Sequence, residues 1–445
     1  MARHVATYKQ HNMNFDELRI SKQLINALED IDIVEPTPIQ EKCFPRISSG
    51  ADVIGVAQTG TGKTFAYLLP IFNALEFSEQ KNPRVLVLVP TRELAVQVRE
   101  EAEKLAKYKS CRIKCVYGGA NINTQKDNIY TDGCDVLIGT PGRIYDIAVT
   151  GVLRFASVKR LVIDEVDEML DLGFRPQLEQ ILEMLPQKRQ SMMFSSTLTD
   201  EVSAFIQKHF RNPETIEVTR RCTPVEKIEQ CVYMLPNFNT KVNFLKTILA
   251  DADEYPKVLI FAENKKQADR LFDMLDAKFP ERVGVTHSNK SQNYRFNAVK
   301  NFEEGKYNIL IATDVVARGI DFTEVSHVIN MSPPENPIDY IHRIGRTGRA
   351  DKDGVSLLLV APYEENLYAE VRTVAGENIS ECEIPDGVEV SSLLLEEEKP
   401  TVSHKIYLKA PSLKNSGGAF HERSDKRKKV NSGGLKAKAK RKRGK

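Results

Sequence analysis

Residues 57–64 read Ala-Gln-Thr-Gly-Thr-Gly-Lys-Thr and lie between an apolar run, Asp52–Val56, and a helical pattern, Phe65–Leu75. No other feature of the chain narrows its fold so far. A glycine-rich turn leading from strand into helix lets successive backbone N–H groups wrap around anionic oxygens, since glycine follows that path without a Cβ clash. This is a P-loop, with Ala57 at the first glycine position. Lys63 supplies positive charge to terminal phosphates, and Thr64 offers a hydroxyl to Mg²⁺. Such a loop belongs to an α/β sheet that binds its ligand at the carboxyl ends of the strands.

The rest of the chain repeats the same alternation. Short apolar strands are expected at Asp52–Val56, Arg84–Val89, Ile113–Tyr117, Asp135–Ile138, Arg160–Ile163, Ser191–Phe194 and Thr215–Val218. A second set is expected at Gln230–Met234, Lys257–Phe261, Val283–Thr286, Asn308–Ile311, His327–Asn330 and Ser356–Val360. Helical patterns such as Arg92–Tyr108, Pro176–Leu185, Lys265–Lys278 and Gln292–Glu304 lie between them. Strands apolar on both faces, separated by helices, predict mostly parallel sheets covered on each side. The polar stretch Thr219–Glu226, with Pro224, reads as a linker between two such sheets, and a cleft is expected between them.

Composition removes several classes. The longest uncharged apolar-rich run, Phe65–Leu75, is 11 residues, short of the roughly 20 that span a bilayer. Met1–Phe15 holds no apolar signal core. The seven cysteines show no CxxC pair and no Cys/His metal spacing. They suit a reducing compartment and argue against a disulfide framework or a structural zinc site. Cys111 and Cys115 read as ordinary thiols, His209 and His327 as structural, and the stripe Leu94, Val98, Leu105 as core. The net charge of +2 hides an asymmetry: residues 401–445 carry 15 Lys/Arg against two acids, while 363–398 carry 11 acids against Arg372 alone. The tail reads as disordered when free and as a salt-sensitive binder of polyanions. The acidic segment reads as a largely solvated helical appendage.

Several strands end in polar clusters: Val89 in Pro-Thr-Arg-Glu, Ile138 in Gly-Thr-Pro-Gly-Arg, Ile163 in Asp-Glu, Phe194 in Ser-Ser-Thr and Ile311 in Ala-Thr-Asp. Each alone is an ordinary loop; five together exceed what a plain α/β protein needs. In P-loop enzymes a carboxylate placed like Asp164 holds Mg²⁺, and a neighbour like Glu165 positions the attacking water. The run His342-Arg343-Ile344-Gly345-Arg346-Thr347-Gly348-Arg349 reads either as a solvated basic loop or as arginine fingers on a transferred phosphoryl group. Thr hydroxyls, main-chain N–H groups and arginines at strand ends also suit a sugar-phosphate track read without sequence preference.

On these residues the chain resembles the DEAD-box RNA helicases of superfamily 2, from about Phe15 to Val360. The resemblance implies two tandem RecA-like domains. Its boundaries are an N-terminal extension 1–12, domain 1 at 13–218, linker 219–226, domain 2 at 227–362, the acidic appendage 363–409 and the basic tail 410–445. It implies that Gln40, in the Q motif Pro-Thr-Pro-Ile-Gln, reads adenine and that Phe15 stacks on the ring. Ala57, Gln58, Thr59, Gly60, Thr61, Gly62, Lys63 and Thr64 form motif I around ATP. Asp164 and Thr64 face Mg²⁺, and Glu165 is the catalytic base. Asp167, Ser195, Thr197 and His342 couple hydrolysis to strand separation. Asp321 touches the ribose, and Arg346 and Arg349 reach the γ-phosphate. RNA contacts fall to Pro90, Thr91, Arg92, Gly119, Thr140, Gly142 and Arg143, then Arg295, Thr313 and Gly319. Departures are Val166, Ser196 and Val316 where alanine is commoner, and Asp32-Ile33 where a Gly-aromatic pair is usual.

The expected activity is an RNA-stimulated ATPase that closes two domains on one strand, bends it and pries apart short duplexes, non-processively and largely without sequence preference. ATP and Mg²⁺ are the cofactors, and RNA, single-stranded or in short duplexes, is the partner. A ribosomal or RNA-decay setting, a cytoplasmic monomer and a bacterial rRNA-associated subgroup complete the expectation. The rivals are an ATP-gated RNA clamp or scaffold and a translocating DNA helicase.

Overall fold

The computed structural model describes residues 14–58, 60–218, 228–314, 322, 325–348, 354–375 and 378–399. The extension 1–12, the linker 219–226 and the tail from 410 lie outside the described residues, as do Thr59, Gly319, Asp321 and Arg349.

The first sheet contains β1 (Val53–Val56), β2 (Val85–Leu88), β3 (Ile113–Val116), β4 (Val136–Gly139), β5 (Arg160–Ile163), β6 (Gln190–Ser195) and β7 (Glu214–Glu217). They lie in the order β3-β4-β2-β5-β6-β1-β7, all pairs parallel. The second contains β8 (Ile228–Met234), β9 (Val258–Phe261), β10 (Val283–Thr286), β11 (Ile309–Ala312), β12 (His327–Asn330), β13 (Gly354–Val360) and β14 (Ile379–Glu381). Their order is β10-β11-β9-β12-β13-β8-β14, again all parallel. Central strands are buried throughout, which explains their unbroken Val/Ile/Leu runs. Each sheet carries an apolar cluster on either face, so each lobe has its own core.

The acidic segment departs from expectation. Among its described residues only Glu365–Ala375 is an α-helix; Ile379–Glu381 then joins the sheet as β14 beside β8. Further on, the side chains of Asn243, Asn237 and Asn239 donate to the carbonyls of Glu389 (2.9 Å), Ser391 (2.6 Å) and Leu393 (2.8 Å). Val388 and Leu395 pack on the second lobe's core. A count of charges hides these few apolar residues, which are what dock the strap. At its root, Lys241 and Glu364 form a buried ion pair at 2.6 Å, and Lys241 also donates to the Met331 carbonyl.

The cysteine expectation needs a correction. Cys231 and Cys382 form a disulfide. Ser380 lies opposite Cys231 in the β8–β14 ladder, and Cys382 follows two residues on, on the same face. A pair 151 residues apart in sequence has no spacing motif to betray it.

Candidate active site

The helix Lys63–Asn73 starts from the carboxyl end of β1. Gly60 and Gly62 take φ of 74° and 86°, the left-handed region open to glycine. A Cβ on Gly62 would also strike the Gln40 amide, so the P-loop and the Q motif are in contact. Gln40 Oε1 accepts from the Thr37 N–H at 3.0 Å, and its Nε2 donates to the Gly62 carbonyl at 3.1 Å. One donor and one acceptor position of that amide stay uncommitted in these bonds.

A cavity of about 300 Å³ opens here, lined by Gln40, Gly62, Lys63, Thr64, Asp164 and Glu165 among others. Lys63 is 6% exposed, and its Nζ has no hydrogen-bond partner among the described residues. A buried ammonium without an acceptor is costly unless an anion fills the space. Phe15 does not line this cavity. It lies in the first lobe's core, whereas Ile33, of the departing Asp32-Ile33 pair, is on the wall.

β5 delivers Asp164 and Glu165 to the cavity. Glu165 takes φ of 52°, an uncommon left-handed conformation for a residue with a side chain. Its Oε2 is buried without a hydrogen-bond partner among the described residues. Asp164 Oδ1 accepts from the Glu165 N–H (3.0 Å), and Oδ2 from the Tyr67 hydroxyl (2.9 Å). Burial pushes Asp164 up to about 6, Lys63 opposes that rise and Glu165 adds to it. Among the described residues no cluster of three or more His, Cys, Asp or Glu could hold a metal. The Asp164 carboxylate and the Thr64 hydroxyl are instead hard oxygen donors of the kind that fit Mg²⁺ held partly by nucleotide phosphates, with the Lys63 ammonium left to face those phosphates.

Asp167 links this wall to the next. Its Oδ2 accepts from Ser196 N–H (3.0 Å), Ser196 Oγ (2.6 Å), Thr197 N–H (3.0 Å) and Thr197 Oγ1 (3.0 Å). Burial alone would raise Asp167, but the Lys63 charge and the Ser196 donors override it and hold the carboxyl below its ordinary value. Ser195 turns away, donating to the Thr197 carbonyl. Ser196 Oγ also lies 3.1 Å from His342 Nε2, which belongs to the second lobe.

His342 and Arg346 stand one turn apart near the end of helix Pro337–Ile344. Arg346 is 2% exposed and donates to the His342 carbonyl at 3.2 Å. Arg343 turns inward and forms a two-pronged pair with Asp314 (2.6 and 2.7 Å). Arg343 belongs to the run read as a basic loop or as arginine fingers, and the structure gives it this internal pairing instead; its place in the helical period, off the face of His342 and Arg346, is the one sequence signal for it.

The first-lobe residues expected to face RNA collect at the carboxyl ends of β2, β3 and β4, three adjacent strands. Thr91 and Thr140 precede helices as N-caps, Thr91 Oγ1 accepting from Leu94. Arg92 packs against Gly119, whose φ is 83°, and donates to Gln292 Oε1 at 3.1 Å across the lobes. Arg143 donates to the Ala120 carbonyl and Gln125. Arg295 pairs with Glu93 at 3.0 Å. Pro90, after β2, and Thr313, after β11, are buried, while Gly142 has open space above it.

Fold and site together define a two-lobed P-loop nucleotide hydrolase. Residues 37–205 match the DEAD/DEAH box helicase family, and residues 240–351 match the helicase conserved C-terminal domain. The chain is 40% identical over 352 residues to the DEAD-box ATP-dependent RNA helicase CshA of Geobacillus kaustophilus, covering 79% of this chain and 74% of that one. It is 34% identical over 409 residues to CshA of Bacillus anthracis, covering 92% and 75%. Among solved structures it resembles Mss116p bound to ssRNA and AMP-PNP (TM-score 0.76, 29% identity, 85% of this chain and 81% of that one). It also resembles S. cerevisiae Dbp5 bound to RNA and ADP BeF3 (TM-score 0.74, 28% identity, 83% and 95%). The chain belongs to the DEAD-box family of ATP-dependent RNA helicases, which are ATP-hydrolysing enzymes.

Proposed function

We propose that the chain hydrolyses ATP in response to RNA and uses closure of its two lobes, residues 13–218 and 227–362, to bend one strand and separate short duplexes. The observation that carries this reading is the Asp167–Ser196–His342 chain of contacts. It joins the wall of the Lys63 cavity to the second lobe. In this reading Gln40 uses its two remaining hydrogen-bonding positions on adenine. The main chain of Gln58–Gly62 and the Lys63 ammonium hold the phosphates. Glu165 Oε2 takes the proton from the attacking water, its natural task as the unpaired buried carboxylate beside them. Arg346 neutralises charge that develops on the transferred group. Thr64 and Asp164 would hold Mg²⁺, which supplies further neutralisation at the phosphates when bound.

RNA lies along the strand ends at Pro90–Arg92, Gly119 and Thr140–Arg143, and continues onto Arg295 and Thr313. Mss116p bound to ssRNA and Dbp5 bound to RNA share this fold, and the clustering of Thr hydroxyls and arginines suits backbone phosphates. The setting we propose is cytoplasmic, in ribosome assembly or RNA turnover. Glu165→Gln tests the reading. It should lower ATP turnover by about 10²–10⁴-fold and trap an ATP- and RNA-bound state. Wild-type turnover in that variant would remove Glu165 as the base. Strand displacement on a short RNA duplex separates unwinding from an ATP-gated clamp, which would bind the duplex and leave it intact.

A further inference from the structure

Tyr67 stands one turn into the P-loop helix, three and four residues after Thr64 and Lys63 and therefore on their face. It is fully buried, and its ring packs against Phe194 of β6 with centroids 5.3 Å apart. A phenylalanine would fill the same space; only the hydroxyl sets tyrosine apart. That hydroxyl donates to Asp164 Oδ2 at 2.9 Å, while Asp164 Oδ1 is held by the Glu165 N–H at 3.0 Å. A carboxylate's last torsion is soft, with a broad range of allowed angles. With one donor on each oxygen, rotation would break both bonds. Each oxygen keeps a further lone pair to offer.

We propose that Tyr67 is a positioning residue for the metal site, its hydroxyl fixing the Asp164 carboxylate in the orientation that presents its remaining lone pairs to the Mg²⁺ arriving with ATP. The inference rests on the nucleotide site described above and adds to it a residue that touches neither nucleotide nor metal. It also ties two segments together. The P-loop helix carries Lys63 and Thr64, and through Tyr67 it sets the angle of a carboxylate on β5. Movement of one is thereby passed to the other. Losing such an outer contact typically weakens metal binding by about 10- to 100-fold.

The test uses the full chain and the variant Tyr67→Phe, which keeps the ring and removes one oxygen. Binding of a fluorescent ATP analogue is titrated with Mg²⁺ and repeated in EDTA, with thermal melting followed alongside. The expected result is that Tyr67→Phe needs about 10-fold more Mg²⁺ to reach half of its binding gain, with metal-free affinity and melting unchanged. In an Asp164→Asn background, adding Tyr67→Phe should shift the Mg²⁺ requirement no further, because the two residues act as one unit. Equal Mg²⁺ requirements in wild type and Tyr67→Phe would overturn the proposal. So would a loss of metal-free affinity as large as the loss with Mg²⁺, which would mark Tyr67 as packing alone. A wild type whose nucleotide affinity ignores Mg²⁺ would overturn the reading of the site itself, and this proposal with it.

Discussion

Glu93 and Arg295 form an ion pair at 3.0 Å although they belong to different lobes, and both side chains are almost wholly buried. Gln292 completes the contact, donating to Glu93 at 3.1 Å and accepting from Arg92 at 3.1 Å. A buried pair is weak evidence of net stabilisation, but breaking one by removing a single partner costs about 3–5 kcal/mol. In the cycle proposed above the two partners sit on lobes that part and close, which places the cost on closure and not on folding.

Glu93→Gln should therefore lower the closed population at least about 10-fold, read as energy transfer between dyes on the two lobes with an ATP analogue and RNA present. The melting of the protein should stay close to wild type. The exchange Glu93→Arg with Arg295→Glu should restore part of the closed population. Full closure in Glu93→Gln would show that the pair is incidental.

Ser196 stands where alanine is commoner in the family pattern, and its hydroxyl is the atom that reaches both Asp167 and His342. Ser196→Ala removes both bonds and leaves Asp167 with three donors. RNA-stimulated turnover should fall about 5-fold, the worth of roughly 1 kcal/mol of hydrogen bonding. Steady-state ATPase assays with and without RNA, beside a melting curve, check it. An unchanged response to RNA would leave the Asp167–His342 route without support.

His327 is 8% exposed, its ring 4.3 Å from that of Tyr255. Burial pulls its pKa from 6.5 to about 4. The unfolded chain then binds a proton that the folded chain refuses. The contribution to stability is complete above about pH 6.5 and is lost as pH falls toward 4. It amounts to at most about 3 kcal/mol. Urea unfolding of wild type and His327→Gln across this window should give a shallower pH slope for the variant.

The Cys231–Cys382 bond closes a loop of 151 residues. In the chain-entropy picture such a bond stabilises by about 2–5 kcal/mol. Reduction, or Cys382→Ser, should lower the second lobe's melting temperature and raise amide exchange over residues 379–398, with the first lobe unchanged. Exchange in the strap that ignores reductant would show that the asparagine contacts and the apolar anchors hold it without the bond.

Most strands were legible because burial on both faces writes itself as a run such as Val85–Leu88 or Ile309–Ala312. β14 was not, since Ile379-Ser-Glu holds a single apolar residue and exists only because β8 offers an open edge. The neighbours Lys63, Asp164 and Glu165 were legible because each sits at the end of an apolar strand or in a glycine-rich turn, patterns that are local. Phe15 illustrates the limit. Sequence likeness places it against adenine, whereas its burial in the first lobe's core, away from the lining of the Lys63 cavity, depends on packing that no local pattern states.

What the amino-acid order determined alone is therefore the alternation, the P-loop and the acidic and basic strand ends, since each is decided within a few residues by backbone sterics and burial. Only the tertiary structure decided the partners. Tyr67 meets Asp164, Arg343 meets Asp314, Ser196 meets His342, Glu93 meets Arg295, and Cys231 meets Cys382. Each of these contacts joins segments far apart in the chain. A hydrogen bond, an ion pair or a disulfide acts over a few ångströms, and no local pattern states which distant atom will arrive within that reach.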